Sequence, residues 1–540
     1  MKLLLDTNVL VAALVARGTC RSLRCVVKAG TGTREPARLT RLIASIEKGV
    51  GMRVTLLAIL GVLLGGFAAP GRAQAPAPDS ATLAKTGILE RLAARSGVYA
   101  VPPTAKTPSF IADAGWPQKL PHNWILGQVG GLYVAPDDHI WIYQRPRTLT
   151  NDEAALTDAT DKRADGKAVD VMGFPRPYGA LGDCCRPAPA VMEFDAGGTL
   201  LRAWGGPADP GKCRAEDGCV WPASEHGIFV DHNGFVYLGG NSANRDPNGS
   251  SWASSHGADG MILKFTKDGK FVMMIGGPGA KGPDSNSKTD GRNNTPQFYL
   301  PADITVDPAS NRMFVSDGYG NRRVVILDAA TGRYIGHFGA YGNNPIDDKA
   351  AAAAGIWMDD LTSGNLKPAF FRTPVHCVKI SKDGQIYVCD RGNNRVQVFN
   401  GRNPDLGKEC ANPSGEAGKC GFVKEQFVSV KTNGLPGSAV SINFSTDPAQ
   451  SCLYVGDNSN MTIYVLKRDT LEELGRLGRS GREAGEFHWL HQVSVDSHGN
   501  IYTAEVDTGK RIQKFIRYGA TGCSGTGRTT VGGVLPEVVR

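Results

Sequence analysis

Beyond its first 75 residues the chain carries no excess of either charge. Overall 60 Lys and Arg stand against 52 Asp and Glu, but residues 1–75 hold 11 basic and 3 acidic residues, leaving 49 of each in the remaining 465. A surface that tracks a nucleic-acid backbone needs net positive charge, so no nucleic-acid partner is expected. Amphipathic helical periodicity is missing too, apart from a short Ala run at 350–354. Its absence excludes all-α and α/β architectures. No Cys-x-x-Cys-His occurs, which removes covalently attached haem and the electron transfer built on it. The one apolar run of note, VTLLAILGVLLGGFAA at 54–69, stops at 16 residues. A spanning helix needs about 20.

What the run does fit is an export signal. Arg53 precedes it and Ala73-Gln74-Ala75 follows as a small-x-small cleavage site. Residues 52–75 therefore read as a bacterial signal peptide, the alternative being an uncleaved anchor, and the product as secreted or periplasmic with no membrane span after cleavage. Residues 1–51 read as a misassigned start or a fused fragment. Their opening, MKLLLDTNVLVAAL, resembles the first strand and Asp of a PIN-domain nuclease, but no further acidic residues of such a site follow. Ten cysteines remain after Ala75, and an exported chain permits disulfides. Cys213/Cys219 and Cys410/Cys420 are the local pairs in Gly-rich loops; adjacent Cys184 and Cys185 are not expected to pair with each other.

Residues 76–115 are rich in Pro, Ala and Thr and read as a leader or wrapping arm. A repeat then runs over 116–521, ahead of a tail at 522–540. Its clearest copy is residues 371–399, FRTPVHCVKISKDGQIYVCDRGNNRVQVF. Alternating apolar runs flank an Asp-Gly turn and a Gly-Asn-Asn turn, which is hairpin chemistry. Related stretches start near residues 131, 224, 300, 437 and 488. Each offers four short strands, and one such unit cannot bury both of its faces. Six arranged radially can, so the expected fold is all-β, a six-bladed β-propeller. A strand near residues 124–127 is expected to close the ring.

In a propeller the first strand of each blade lines the central channel. His226, His376 and His491 begin those strands in blades two, four and six, and Gly131, Asp303 and Ser441 take the place in blades one, three and five. Alternate blades of six lie 120° apart, so three imidazoles converge on the axis, a donor set suited to Zn²⁺. The other seven histidines share no such register, and a lone histidine there would be an ordinary hydrogen-bonded residue. The loops leaving the second strands hold Arg145, Tyr319 and Arg391. Arginine pairs with carboxylates in two-pronged fashion, and a phenol beside a dication becomes a usable base. Tyr319 lies between flexible glycines, within reach of a metal or substrate. Arg322, Arg323 and Arg395 read as turn and cross-blade scaffold.

SEHGIFVD, VSDGYGNRRVVIL, PVHCVKI, VCDRGNNRVQVF and LHQVSVDSHGNIYTAE resemble the NHL-repeat propellers, and more narrowly the peptidyl-α-hydroxyglycine α-amidating lyases and their secreted bacterial relatives. The resemblance covers roughly residues 122–518. It implies a catalytic zinc on His226, His376 and His491, Tyr319 acting beside it, and Arg145 and Arg391 as active-site arginines that bind substrate or tune the tyrosine. It also implies an axial structural Ca²⁺ held largely by backbone carbonyls, that of Ile228 among them. The family's acidic calcium contact after the third histidine is Gln492 here, and the methionine two before that histidine is Trp489. The implied activity is cleavage of a peptide or small-molecule α-hydroxy amide to an amide and glyoxylate, with no monooxygenase domain expected in the chain.

Two other readings follow from the same residues. A non-catalytic NHL propeller would bind a protein or other ligand on its loops, where the insertions at 241–260 and 278–297 suit that role. A calcium-dependent lactonase-type site wants Glu, Asp and Asn ligands in the channel, which three histidines oppose. The export reading makes a direct prediction: mass spectrometry of the mature protein finds an N-terminus near Pro76, and a peptide from residues 1–50 in that material would refute it.

Overall fold

Short strands with turns of fixed chemistry build six four-stranded antiparallel sheets. A computed structural model describes residues 107–150, 152–156, 161–162, 168–169, 182–243, 257–279, 282–288, 295–346, 368–429 and 437–518. The export signal, the segment before it, the Ala run at 350–354, most of the insertion at 241–260, part of that at 278–297 and the tail lie outside the described residues. No helix among the described residues is long and apolar enough to cross a membrane.

Blade one comprises Gln128–Val134, Ile140–Arg145, Val191–Phe194 and Leu200–Trp204. Blade two comprises Glu225–Val230, Phe235–Gly240, Met261–Thr266 and Phe271–Gly276. Blade three runs through Pro301–Val306, Arg312–Asp317, Arg323–Asp328 and Tyr334–Phe338. Blade four runs through Val375–Ile380, Gln385–Asp390, Arg395–Asn400 and Phe422–Phe427. Blade five has Ser441–Phe444, Cys452–Asp457, Thr462–Lys467 and Glu473–Leu477. Blade six has Leu490–Val495, Ile501–Glu505 and Ile512–Tyr518, and takes its fourth strand from Ser109–Ala112. The first strand of each blade packs on the first strand of the next, and that of blade six on blade one, so the ring closes.

The turns follow from their side chains. Asp231 accepts the amides of Asn233 and Phe235, both at 2.9 Å, and the Tyr237 hydroxyl at 3.1 Å. Asp496 does the same in blade six for His498, Asn500 and Tyr502. Six apolar cores fill the spaces between neighbouring blades. No blade has a core of its own, which is why the repeat is stable only as a ring. Buried Arg323 and Arg395 pair with Asp317 at 3.0 Å and Asp390 at 2.6 Å, tying the end of the second strand to the start of the third.

Two expectations are corrected. The closing strand is Ser109–Ala112, paired antiparallel with Ile512–Tyr518. Trp124 and Ile125 pair instead, in parallel, with Arg186 and Pro187 of the blade-one insertion. Phe110 decides the choice: it is fully buried in the core between blades five and six, edge-on to Tyr454 at 6.1 Å. Cys184 and Cys185 do bond to each other, across a cis peptide. Cys213–Cys219 and Cys410–Cys420 form as expected, and Cys377–Cys389 crosses between paired strands of blade four. Four disulfides between described residues fit an oxidising compartment.

Because ring closure depends on one short strand, Phe110→Ala should destabilise by about 3–5 kcal/mol, the range for a fully buried phenylalanine. A urea denaturation midpoint within error of wild type would show that the strand does not close the ring.

Candidate metal centre

The strands that carry the histidines share an irregularity that alternation of side chains does not reveal. The ladder between first and second strand shifts register between Glu225 and Ile228, between Val375 and Cys377, and between Leu490 and Gln492. Each shift is a β-bulge, and a bulge re-aims the residue it contains. His226, His376 and His491 are those residues. Blades one and three bulge at the same level, between Val129 and Gly131 and between Pro301 and Asp303. The odd-blade counterparts of the histidines are therefore Gly130, Ala302 and Val440, one residue before the expected Gly131, Asp303 and Ser441.

Those three counterparts act through their backbone. The Nδ1 of His226 bonds to the Ala302 carbonyl at 2.7 Å, that of His376 to Val440 at 2.6 Å, and that of His491 to Gly130 at 2.8 Å. A carbonyl accepts only, so each Nδ1 carries the proton and donates it. Each Nε2 is then a lone-pair donor facing the axis, the orientation typical of metal-bound imidazole. All three rings are buried, with centroids 4.7–5.0 Å apart. Among the described residues they form the one cluster of three or more His, Cys, Asp or Glu with metal-binding spacing, their ligand atoms within 4.8 Å of one another.

The donor set fits a metal ion. His376 Nε2 and His491 Nε2 face each other at 3.1 Å. With both Nδ1 atoms protonated, that contact sets two acceptors against each other and calls for a cation between them. Burial, the largest cause, holds all three imidazoles well below their usual range. The guanidinium of Arg391 pushes each further down, as do Arg145 at His226 and His491 and the neighbouring imidazoles at His376 and His491. The rings stay neutral, and a divalent ion meets no proton competition from them.

Tyr319 completes the cup. Its hydroxyl lies 3.1 Å from His226 Nε2 and 3.0 Å from His376 Nε2, and accepts from Arg391 Nη1 at 3.2 Å. The flanking glycines serve close packing rather than flexibility. Neither Gly318 nor Gly320 has a left-handed backbone, but a Cβ on Gly318 would strike the Val375 carbonyl and one on Gly320 the Tyr299 ring. The loop thus lies pressed against the strand that carries His376.

Arg391 is buried, makes no ion pair with a described residue, and its Nε has no hydrogen-bond partner. With the Asn458 amide turned so that its nitrogen donates to the Gly437 carbonyl, the Asn458 oxygen accepts from Arg391 Nη2 at 3.2 Å. Arg145 stands differently. Its nitrogens donate to the Glu225 carbonyl at 2.6 Å, to Gln128 at 2.8 Å and to Asn241 at 3.2 Å. It therefore braces the residue before His226. Asn241 and Asn458 occupy the register position of Arg391 in blades two and five, each holding an arginine of the preceding blade. Sequence reasoning missed both; their place directly after the second strand was the available signal.

Ile228 lies two residues beyond His226, its side chain in the core between blades one and two. Gln492, where the resemblance puts an acidic calcium contact, accepts from Ser441 Oγ at 3.0 Å. Asp303 is ion-paired with Lys379 at 2.7 Å and accepts the Val378 amide at 3.1 Å. Calcium wants several oxygens, with free carboxylates among them. Neither position supplies one, so a calcium ion on the axis would rest on neutral carbonyl donors such as that of Ile228. Trp489 takes a left-handed backbone (φ 57°) two residues before His491.

The NHL repeat matches residues 375–399, the heart of blade four. Peptidyl-glycine alpha-amidating monooxygenase B of Xenopus laevis is 32% identical over 209 residues, 38% of this chain and 19% of that protein. The Mus musculus peptidyl-glycine alpha-amidating monooxygenase is 25% identical over 211 residues, 39% and 18% of the two chains. NHL repeat-containing protein 3 of Mus musculus is 26% identical over 214 residues, 39% of this chain and 45% of its own. The chain thus spans about a fifth of the amidating monooxygenases and under half of the NHL protein. A streptogramin B lyase structure covers 76% of this chain and 98% of its own at 14% identity, and its TM-score of 0.36 carries no argument.

The depressed imidazoles predict a pH dependence of stability. An unfolded histidine titrates near 6.5, so below that pH the unfolded chain binds protons that the folded one refuses. Chelator-treated protein should lose stability as pH falls from 7 to 5, by up to about 1.4 kcal/mol per pH unit for each histidine. The loss should be shallower in His376→Gln; equal slopes in urea titrations would contradict the assignment.

Proposed function

We propose that the chain is a divalent-metal-dependent lyase that splits the C–N bond of a carbinolamide, N–CH(OH)–COO⁻, giving an amide and glyoxylate. One observation carries the reading: the Tyr319 hydroxyl touches two of three convergent imidazoles and a buried guanidinium that no carboxylate among the described residues neutralises. Such a cup is positively charged and demands an anionic ligand with a second oxygen to offer. An α-hydroxy carboxylate has both. The similarity to amidating monooxygenases over about two fifths of the chain, and the motifs quoted above, point the same way.

His226, His376 and His491 would hold Zn²⁺ through Nε2, and the ion when bound supplies Lewis acidity toward the substrate oxygens. The other groups have definable tasks. Arg391, through the Nε left without a partner, binds the substrate carboxylate and orients the hydroxyl toward Tyr319. Tyr319 in its phenolate form removes the hydroxyl proton. The O–H electron pair becomes the second bond of the aldehyde as the C–N pair leaves with nitrogen. Nitrogen takes the proton back from Tyr319, which restores the phenolate and balances the step. Arg145 keeps the backbone before His226 in place and adds positive charge without touching the phenol. Calcium has no part in this mechanism.

The protein would meet this substrate in an oxidising, extracytoplasmic compartment, consistent with its disulfides. The test is glyoxylate release from a model α-hydroxyglycine peptide by zinc-loaded protein. Tyr319→Phe should lower kcat by about 10²–10⁴, the usual worth of a positioned acid–base group, with metal content unchanged. Undiminished turnover in that variant would sink the mechanism. A zinc-loaded wild type that releases no glyoxylate, yet binds a ligand that survives His376→Ala, would return the chain to the class of binding platforms.

A further inference from the structure

We propose that the Cys377–Cys389 disulfide is a positioning element of the metal centre, holding blade four in the register that presents His376 to the axis and Arg391 to Tyr319. The proposal rests on the reading of the three histidines as metal ligands. Cys377 follows His376 directly, and Cys389 stands two residues before Arg391. They face each other as the first ladder pair beyond the bulge, with Cα atoms 4.8 Å apart. Both are fully buried in the core between blades four and five. Of the four disulfides joining described residues, this one alone links paired strands.

A bulge is one extra residue, and the ladder can close with that residue displaced by one. Such a slip sends every side chain beyond it to the opposite face. In blade four it would take His376 from the axis and shift the strand end that leads to Arg391. A covalent bond at the first pair after the bulge removes that alternative. Blade four has the most to lose, because two groups bonded to the Tyr319 hydroxyl come from it, His376 at 3.0 Å and Arg391 at 3.2 Å. Blades two and six contribute one histidine each and have Gly227 and Gln492 at the position of Cys377.

The test is Co²⁺ binding, read as affinity by titration and as the visible absorption of the bound ion, which reports coordination geometry. Cys377→Ala/Cys389→Ala and the bulkier Cys377→Val/Cys389→Ala are compared with Val398→Ala. The last opens a cavity in the same core and leaves the disulfide intact. Both cysteine variants should bind Co²⁺ at least tenfold more weakly with a changed spectrum, while Val398→Ala keeps wild-type affinity and spectrum. Unchanged binding in either folded cysteine variant overturns the proposal, and so does equal weakening in Val398→Ala, which would make the effect one of packing alone. A wild type that takes up no Co²⁺ overturns the metal centre and the proposal together, whereas failure in the variants alone leaves the centre standing.

Discussion

Three hydrogen bonds from imidazole to backbone carbonyl set the chemistry of this propeller. Ala302, Val440 and Gly130 offer no side-chain acceptor for the task; their carbonyls serve, because the histidine-bearing inner strands bulge and the ring brings each odd blade against an even one.

 With its Nδ1 proton committed in this way, each ring has one tautomer and one orientation, and its remaining lone pair faces the axis. Burial then keeps the rings neutral. The odd blades, which have no histidine at this level, are thus as necessary to the centre as the even ones.

The rest of the molecule serves that alternation. Six cores between blades hold the inner strands at contact distance, and Ser109–Ala112 completes the last blade so that blade six can set His491 against Gly130. Arg145 and Arg391 sit half a ring apart, and an asparagine of the following blade holds each of them. Their roles diverge because Arg145 spends its donors on protein acceptors, whereas Arg391 keeps one nitrogen unsatisfied beside the phenol. An unsatisfied buried guanidinium is costly unless a ligand completes it. This difference separates a brace from a group with a donor to spare.

Much of this was legible in the chain. Asp-Gly turns, alternating runs and a four-strand unit recurring six times led to six blades, and the shared place of His226, His376 and His491 led to the axis. Tyr319 and Arg391 were readable from their loops. The closing strand was not, because Ser109–Ala112 is only 4 residues long and follows a Pro- and Ala-rich stretch that hides its pattern. The pairing of Cys184 with Cys185 was also missed, since adjacent cysteines bond only across an unusual peptide geometry that no residue type announces.

By itself the sequence determined the class of fold, the number of blades and the residue types that meet at the channel, because strand alternation, turn chemistry and repetition are local and survive in one dimension. Only the tertiary structure decided which odd-blade residues oppose the histidines, which arginine is free to bind, and why the glycines flank Tyr319. Those depend on bulges and on contacts between blades. A bulge changes register without changing composition, and a backbone carbonyl has no letter of its own in the sequence.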